Sequence, residues 1–301
     1  MSTHHSESVY LETMRDILAH GDLKPNRTGI DTYSQFGVTL RYDLRDGLPL
    51  FTTKRLPIKM IVNELLFFIS GETDTRILED QKIGIWKGNT SREFLEQRHL
   101  DYPVGFMGPL YGWQWRYWNR PYHPLGDDTD SDLERFDTES RGIDQLGAVI
   151  ESIKTDPFSR RHIVSAWNVA QLDEMVLAPC HTLFQFNVSA DKKYLDCMLY
   201  QRSGDMFLGV PFNVASYSIL LSMVARLVDM TPRYFVHTIG DAHIYTTHRN
   251  AVEIQLVRVP TQYPRLSFSD RDYTSIDDFT RDDIRIDDYH PQARISAPMA
   301  I

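Results

Sequence analysis

The chain of 301 residues is 42% hydrophobic and 24% charged, an ordinary globular composition with enough apolar material for a substantial core, which excludes a disordered or fibrous protein. Its 32 basic and 41 acidic residues leave a formal net charge of -9, which argues against a general binder of DNA or of anionic membranes. Two cysteines, Cys180 and Cys197, are too few for a disulfide framework, and the opening MSTHHSESVY lacks the apolar run of a secretory signal, so the chain reads as intracellular.

Residues 1–8 are expected to be a flexible N-terminus. Val9, Leu11, Met14, Ile17 and Leu18 then recur at helical spacing and stop at Gly21-Asp22, which predicts a helix over 8–20. Residues 32–42 alternate as a strand does, and 43–47 turn it. Ile58, Ile61, Val62, Leu65, Leu66 and Ile69 mark one face of a helix stopped at Gly71. Residues 123–142, rich in Asp, Glu, Ser and Thr, read as an exposed acidic insertion. Chemically suggestive residues lie on both sides of it, so 1–301 is expected to form one domain.

Phe184, Phe186 and Val188, then Leu195, Cys197 and Leu199, flank a polar stretch at 189–193, the pattern of a hairpin. The most apolar stretch, 212–230, is interrupted by Asn213, Ser216, Ser218, Ser222, Arg226 and Asp229, so it predicts a packed core helix and not a membrane span. Residues 234–238, 254–259 and 265–268 read as further strands.

Cys197 alternates with Leu195 and Leu199 and reads as a small buried hydrophobe. Cys180, between Pro179 and His181 at a strand entrance, is the better candidate nucleophile, provided that cations favour its thiolate. Arg27, Arg202 and the tandem Arg160-Arg161 after Ser159, in turn-like runs with Ser, Thr or Gly, are candidate phosphate ligands. Glu64, close to the apolar face of its helix, is a carboxylate that burial could turn into a proton handler. The aromatic clusters at 111–118 and 85–86 suit either a core or a planar heterocycle.

Taken together, these strings resemble the thymidylate synthase family. APCH at 178–181, QRSGD at 201–205, LGVPFNVASY at 208–217 and GDAHIY at 240–245 match its signature runs in order. So do NRTG at 26–29, TTKR at 52–55, NELL at 63–66, SRR at 159–161 and APMAI at 297–301, and the resemblance covers nearly the whole chain. It implies a single α/β (α+β) domain on a large twisted mixed sheet with packed helices, forming a sheet-to-sheet homodimer in the cytoplasm, or in the host-cell cytoplasm if the source is a virus. It also implies a methyltransferase that takes dUMP and 5,10-methylenetetrahydrofolate, the folate being carbon and hydride donor, and yields dTMP and dihydrofolate.

The resemblance assigns roles residue by residue. Cys180 would add to C6 of uracil and make C5 nucleophilic. Arg202 would hold the phosphate and favour the thiolate, with Arg27, Ser203 and the Arg160 and Arg161 of the partner subunit completing the anion site. Asn213 would read uracil by donating to O4 and accepting from N3–H. His243 and Tyr245 would grip the ribose hydroxyl, and Gln201 and His181 would order the network beside the base. Glu64 would relay protons, and Tyr111 would assist loss of the C5 proton. Trp86, Asn89, Leu177, Asp205, Gly209, Phe212 and the C-terminus with Ala300 would form the folate site. No metal is implied, since the eleven histidines show no ligand spacing that the nucleotide site leaves over.

The chain departs from the usual family text at Pro57, Met60, Phe67, Lys87, Phe106 and Met107. Relatives that hydroxymethylate dUMP, with water trapping the exocyclic methylene, make that the second outcome. Trp86 and the 297–301 tail favour a dry pocket and methylation. A non-catalytic nucleotide- or RNA-binding regulator is the third, and the intact nucleophile and arginines count against it.

Overall fold

The computed structural model describes residues 5–124 and 141–299, so most of the expected acidic insertion, and Ala300, lie outside the described residues. Helix α1 (Ser6–His20) buries Leu11, Met14 and Ile17 of the expected stripe, with Leu18 partly buried, but Tyr10 takes the buried place expected of Val9, which is exposed. It starts earlier than expected: residues 6–8 are helical where a flexible stretch was predicted. The reason is Glu7, fully buried, whose carboxylate accepts from the backbone N–H and the hydroxyl of both Thr52 and Thr53.

Six strands form the main sheet: β1 (Asp22–Lys24), β2 (Thr32–Asp43), β3 (Ile163–Ser165), β4 (His181–Val188), β5 (Tyr194–Asp205) and β6 (Thr231–Tyr245), in spatial order β1-β2-β6-β5-β4-β3. All neighbours are antiparallel except β5 and β6, so the sheet is mixed. A parallel pair needs a long crossover, and helix α7 (Gly209–Leu227) supplies it. Its serines sit among Val214, Ile219, Leu220 and Leu221, all buried, so the stretch long and apolar enough to cross a membrane is a core helix, as its interruptions predicted. Helix α2 (Ile58–Ile69) packs on α7, and the short helices α3 (Arg76–Asp80), α4 (Arg92–Gln97) and α5 (Gly112–Arg116), with α6 (Gln145–Thr155), complete the layer.

The hairpin and the strands at 32–42 and 265–268 are where the patterning placed them, the last as β7 (Arg265–Phe268), which pairs with β8 (Ile284–Asp287). The expected strand at 254–259 is instead the end of helix α8 (Arg249–Leu256) and the turn after it. Its buried residues are Ala251, Val252 and Gln255, one helical stripe, whereas Ile254, Val257 and Val259 face outward. Apolar character alone misled there, because the chain buries a glutamine and exposes valines.

The topology gathers one end of the sheet. Antiparallel pairing sets the start of β4 beside the end of β5, with His181 opposite Gln201, and parallel pairing sets Asp205 opposite His243. Tyr245 at the end of β6 meets Thr32 at the start of β2.

Candidate active site

At that end lies a cavity of about 1370 Å³, walled by the sheet, the first turn of α7, α2 and the loop before α5. Arg202 organises the strand entrance that carries the cysteine. Its backbone N–H donates to the Cys180 carbonyl at 2.9 Å, and its guanidinium donates to Pro179 O at 2.9 Å and Ala178 O at 2.7 Å. The same Nη2 lies 3.7 Å from Cys180 Sγ. Burial pushes the Cys180 thiol up, while the charges of Arg202 and Arg27 and a hydrogen bond from Tyr111 pull it down. The arginine acts in the direction expected of it, but burial outweighs it.

Tyr111 Oη accepts the Cys180 N–H at 3.0 Å. The residue sits at φ 30°, a strained conformation for a tyrosine. The glycine after it lets α5 close on α2, since a Cβ on Gly112 would stand 2.4 Å from the Phe68 carbonyl oxygen. The Tyr111 ring packs against Phe68, Trp86 and His181, with centroids 5.0, 6.1 and 5.0 Å away. Burial pushes its phenol well above the usual range.

Glu64 reaches the cavity from α2. Burial raises its carboxyl to about 7, opposed by the Trp86 indole N–H, which donates to Oε1 at 2.9 Å. A carboxyl so placed exchanges a proton near neutrality. Burial lowers His181 to about 4, with a hydrogen bond to Asn213 opposing, so the imidazole is neutral. Asn213 stands one turn into α7, facing the cavity. Gln201 donates through Nε2 to Ser203 O at 2.9 Å, and its Oε1 pairs with Nε2 of the buried His237 at 2.8 Å. The Ser203 carbonyl only accepts, so the Gln201 amide turns Nε2 toward it and Oε1 toward His237, which burial holds neutral, at about 3, with its proton on Nε2.

His243 Nδ1 pairs with Asp241 Oδ1 at 2.9 Å, and the other Asp241 oxygen accepts from Ser34 at 2.8 Å, which turns the imidazole toward the cavity beside Tyr245. Asp205 Oδ1 accepts the N–H groups of Phe207 and Leu208. Burial works to raise the Asp205 carboxyl, but His248 and these bonds hold it below the usual range.

Of the residues singled out from the sequence, Arg27, Glu64, Trp86, Tyr111, Leu177, Cys180, His181, Gln201, Arg202, Ser203, Asp205, Gly209, Asn213, His243 and Tyr245 all line this cavity. Asn89 and Phe212 do not; both are half-buried, and each is the chain neighbour of a lining residue, Gly88 and Asn213 respectively. Arg160 and Arg161 are exposed and also outside it. Ala300 lies outside the described residues. The supporting residues Asp241, His237 and His248 were not assigned from sequence: the partners of His237 and His248 are 36 and 50 residues away, whereas Asp241 lies two residues from His243 within the 240–245 run.

None of the departures from the family text lines the cavity. Phe67, Phe106 and Met107 are core side chains, Met60 packs against the core, Pro57 is exposed before α2, and Lys87 pairs with Glu79 at 3.7 Å. Among the described residues, no cluster of three or more His, Cys, Asp or Glu could hold a metal.

A mixed sheet that carries a cysteine clamped by an arginine, with a carboxyl raised to about 7 in the same cavity, makes an α/β fold that gathers a thiol, a guanidinium and a carboxyl at one end. The family model "Thymidylate synthase" matches residues 8–301, and the chain belongs to that family. It is 45% identical over 305 residues to the thymidylate synthase of Saccharomyces cerevisiae (98% of this chain, 97% of the relative). It is 46% identical over 297 residues to that of Ascaris suum (98% and 97%) and 46% over 300 residues to that of Human herpesvirus 8 (99% and 86%). The enzyme is thus a methyltransferase that converts dUMP to dTMP with 5,10-methylenetetrahydrofolate as co-substrate, and the hydroxymethylating alternative is not favoured.

Proposed function

We propose that Cys180 is the nucleophile of this reaction and that the cavity residues divide its remaining steps. The observation that carries the reading is the clamp of Arg202 on 178–180, with Sγ 3.7 Å from the guanidinium and Glu64 and Asn213 in the same cavity. Cys180 adds to C6 of dUMP, and the electron pair displaced to C5 forms the bond to the one-carbon unit. Arg202, Arg27 and Ser203 hold the phosphate, while Asn213, oriented by neutral His181, reads the uracil edge. Glu64 moves protons at O4 and at the folate nitrogen as the bridge opens, and Tyr111 assists loss of the C5 proton as the remaining carbon–nitrogen bond breaks, which frees tetrahydrofolate and leaves the exocyclic methylene. Hydride then passes to the exocyclic methylene as the thiolate leaves C6, which oxidises tetrahydrofolate to dihydrofolate. His243 and Tyr245 hold the ribose hydroxyl, and Gln201 the base-side network. Trp86, Leu177, Asp205 and Gly209, with Asn89, Phe212 and Ala300, form the folate side.

The working unit is a homodimer joined sheet to sheet, with Arg160 and Arg161 of the partner subunit completing each phosphate site. Helices cover one face of the sheet, whereas Thr39, Arg41 and Met198 on the other are exposed. Gln185, on that second face, donates to the Arg160 carbonyl at 3.2 Å, which puts the two arginines at its rim. The enzyme works in the cytoplasm, in keeping with a composition and a buried apolar helix that suit an aqueous compartment.

Turnover with dUMP and 5,10-methylenetetrahydrofolate, followed by dihydrofolate absorbance and the mass of the nucleotide, is the direct test. Dihydrofolate with dTMP is expected, and 5-fluoro-dUMP with the folate should attach covalently to the peptide containing Cys180. Absence of that adduct overturns the assignment of Cys180.

A further inference from the structure

The C-terminal segment and the Asp205 side of the cavity share one histidine. His248 closes the single turn Thr246–His248 between β6 and α8, and it is fully buried. Its ring lies between Phe207 and Tyr245, with centroids 5.6 and 5.3 Å away. Nε2 stands 2.7 Å from the carbonyl oxygen of Pro298, and a carbonyl only accepts, so Nε2 carries a proton. Nδ1 lies 3.7 Å from Asp205 Oδ1, outside hydrogen-bond distance but close enough for charge attraction.

Upstream, the segment is tied by Gln292 N–H to the Thr52 carbonyl at 2.8 Å and by Arg258 to the Ala293 carbonyl at 2.6 Å. The bond to Pro298 is the last tie among the described residues. Only an imidazolium satisfies both partners at once, donating to Pro298 while presenting a second N–H to the carboxylate.

We propose that His248 is a positioning residue that couples Asp205 to the C-terminal segment, so that the folate-facing wall and the chain end are held in place together. The inference rests on the folate role proposed for Asp205. The charged groups facing His248 are Asp205, which favours the cation, and Lys54, which opposes it. Burial opposes the cation most strongly, yet Asp205 and the Pro298 carbonyl leave the imidazole above its ordinary value. The cation persists at low pH and is lost as pH rises through that elevated value, so the coupling weakens on the alkaline side.

His248→Phe keeps a flat ring between Phe207 and Tyr245 and removes both N–H groups, whereas His248→Gln restores one neutral donor toward Pro298. Two readouts separate coupling from general damage: the KM values for folate and dUMP, and the rate at which a carboxypeptidase trims the chain end, followed by mass. His248→Phe is expected to raise the folate KM by about tenfold or more, to leave the dUMP KM within about twofold, and to speed trimming by about fivefold. His248→Gln should recover protection from trimming. Wild-type trimming should accelerate relative to His248→Gln assayed alongside as pH rises through the elevated His248 value, above the ordinary 6.5. Unchanged trimming in His248→Phe, or equal rises in both KM values, overturns the proposal. Asp205→Asn separates the two readings: an unchanged folate KM in that variant overturns the folate role of Asp205, whereas the trimming result bears on the tie to Pro298 alone.

Discussion

The indole N–H of Trp86 donates to Oε1 of Glu64 at 2.9 Å, so a residue from the loop after α3 holds the one carboxyl that α2 sends into the cavity. The bond favours the carboxylate, burial favours the acid, and the balance near 7 lets Glu64 both give and take a proton at neutral pH.

That balance has a cost in stability that depends on pH. The carboxyl binds its proton more tightly in the folded state, raised from 4.5 to about 7, so its contribution is fully present below the unfolded value and is lost as pH rises through about 7. Glu64→Gln removes the penalty. Denaturant titrations should show the variant gaining on the wild type between pH 5 and pH 8 by about 1–2 kcal/mol, less than the whole shift implies because the group opens onto the cavity. Turnover in Glu64→Gln should fall by about 100-fold or more. A constant stability difference across that range would refute the buried-acid reading.

Removing the guanidinium of Arg202 takes away the strongest opposition to burial at Cys180 and leaves only Tyr111 and the charge of Arg27. In Arg202→Leu the alkylation rate of Cys180 by iodoacetamide should reach its midpoint at a higher pH than in the wild type. A midpoint that stays put or moves down would show that the arginine does not govern the thiol.

Tyr111→Phe deletes the oxygen that accepts the Cys180 N–H and leaves a buried donor without a partner, a loss of about 1–3 kcal/mol. Thermal unfolding should register it. The first-order rate of covalent attachment of 5-fluoro-dUMP should fall with it, because the strand entrance carrying Sγ is then held from the Arg202 side alone. Attachment at the wild-type rate would confine Tyr111 to later steps.

If the partner subunit supplies Arg160 and Arg161, two defective chains can repair each other. Mixing inactive Cys180→Ala with an inactive Arg160→Glu, Arg161→Glu double variant, then unfolding and refolding them together, should restore about a quarter of wild-type activity, since half the dimers are mixed and each has one intact site. No recovery, with mixed dimers demonstrated by mass, would place the arginines in their own subunit's site.

Glu7 is predicted to be a folding determinant. Glu7→Ala strips the acceptor from the N–H and hydroxyl groups of Thr52 and Thr53 and should destabilise the enzyme by about 2–4 kcal/mol, measured by denaturant unfolding. A loss under about 0.5 kcal/mol would show that water replaces the carboxylate at no cost.

Local chemistry was written plainly in the chain. The stripe of α1, the face of α2, the β4–β5 hairpin and the core helix α7 follow from the spacing of apolar residues, because burial of one face dictates that spacing. The motifs at 178–181, 201–205 and 240–245 singled out the cavity residues, because the chemistry demands a thiol, a guanidinium and amides in short contiguous runs. The Ile254 to Val259 region escaped that logic, since which face of α8 is buried depends on what packs against it.

What tertiary structure alone decided is how those groups influence one another. The level of Glu64 is set by burial and by Trp86, 22 residues away in the chain. The oxygen of the Gln201 amide is held by His237, 36 residues away, and the tie between Asp205 and Pro298 by His248, residues that carry no motif reading of their own. Hydrogen-bond geometry and desolvation act through space, over a few ångströms, and the chain records only order. The sequence therefore named most of the groups that line the cavity, and the packing of sheet, helices and chain end determined their protonation and their aim.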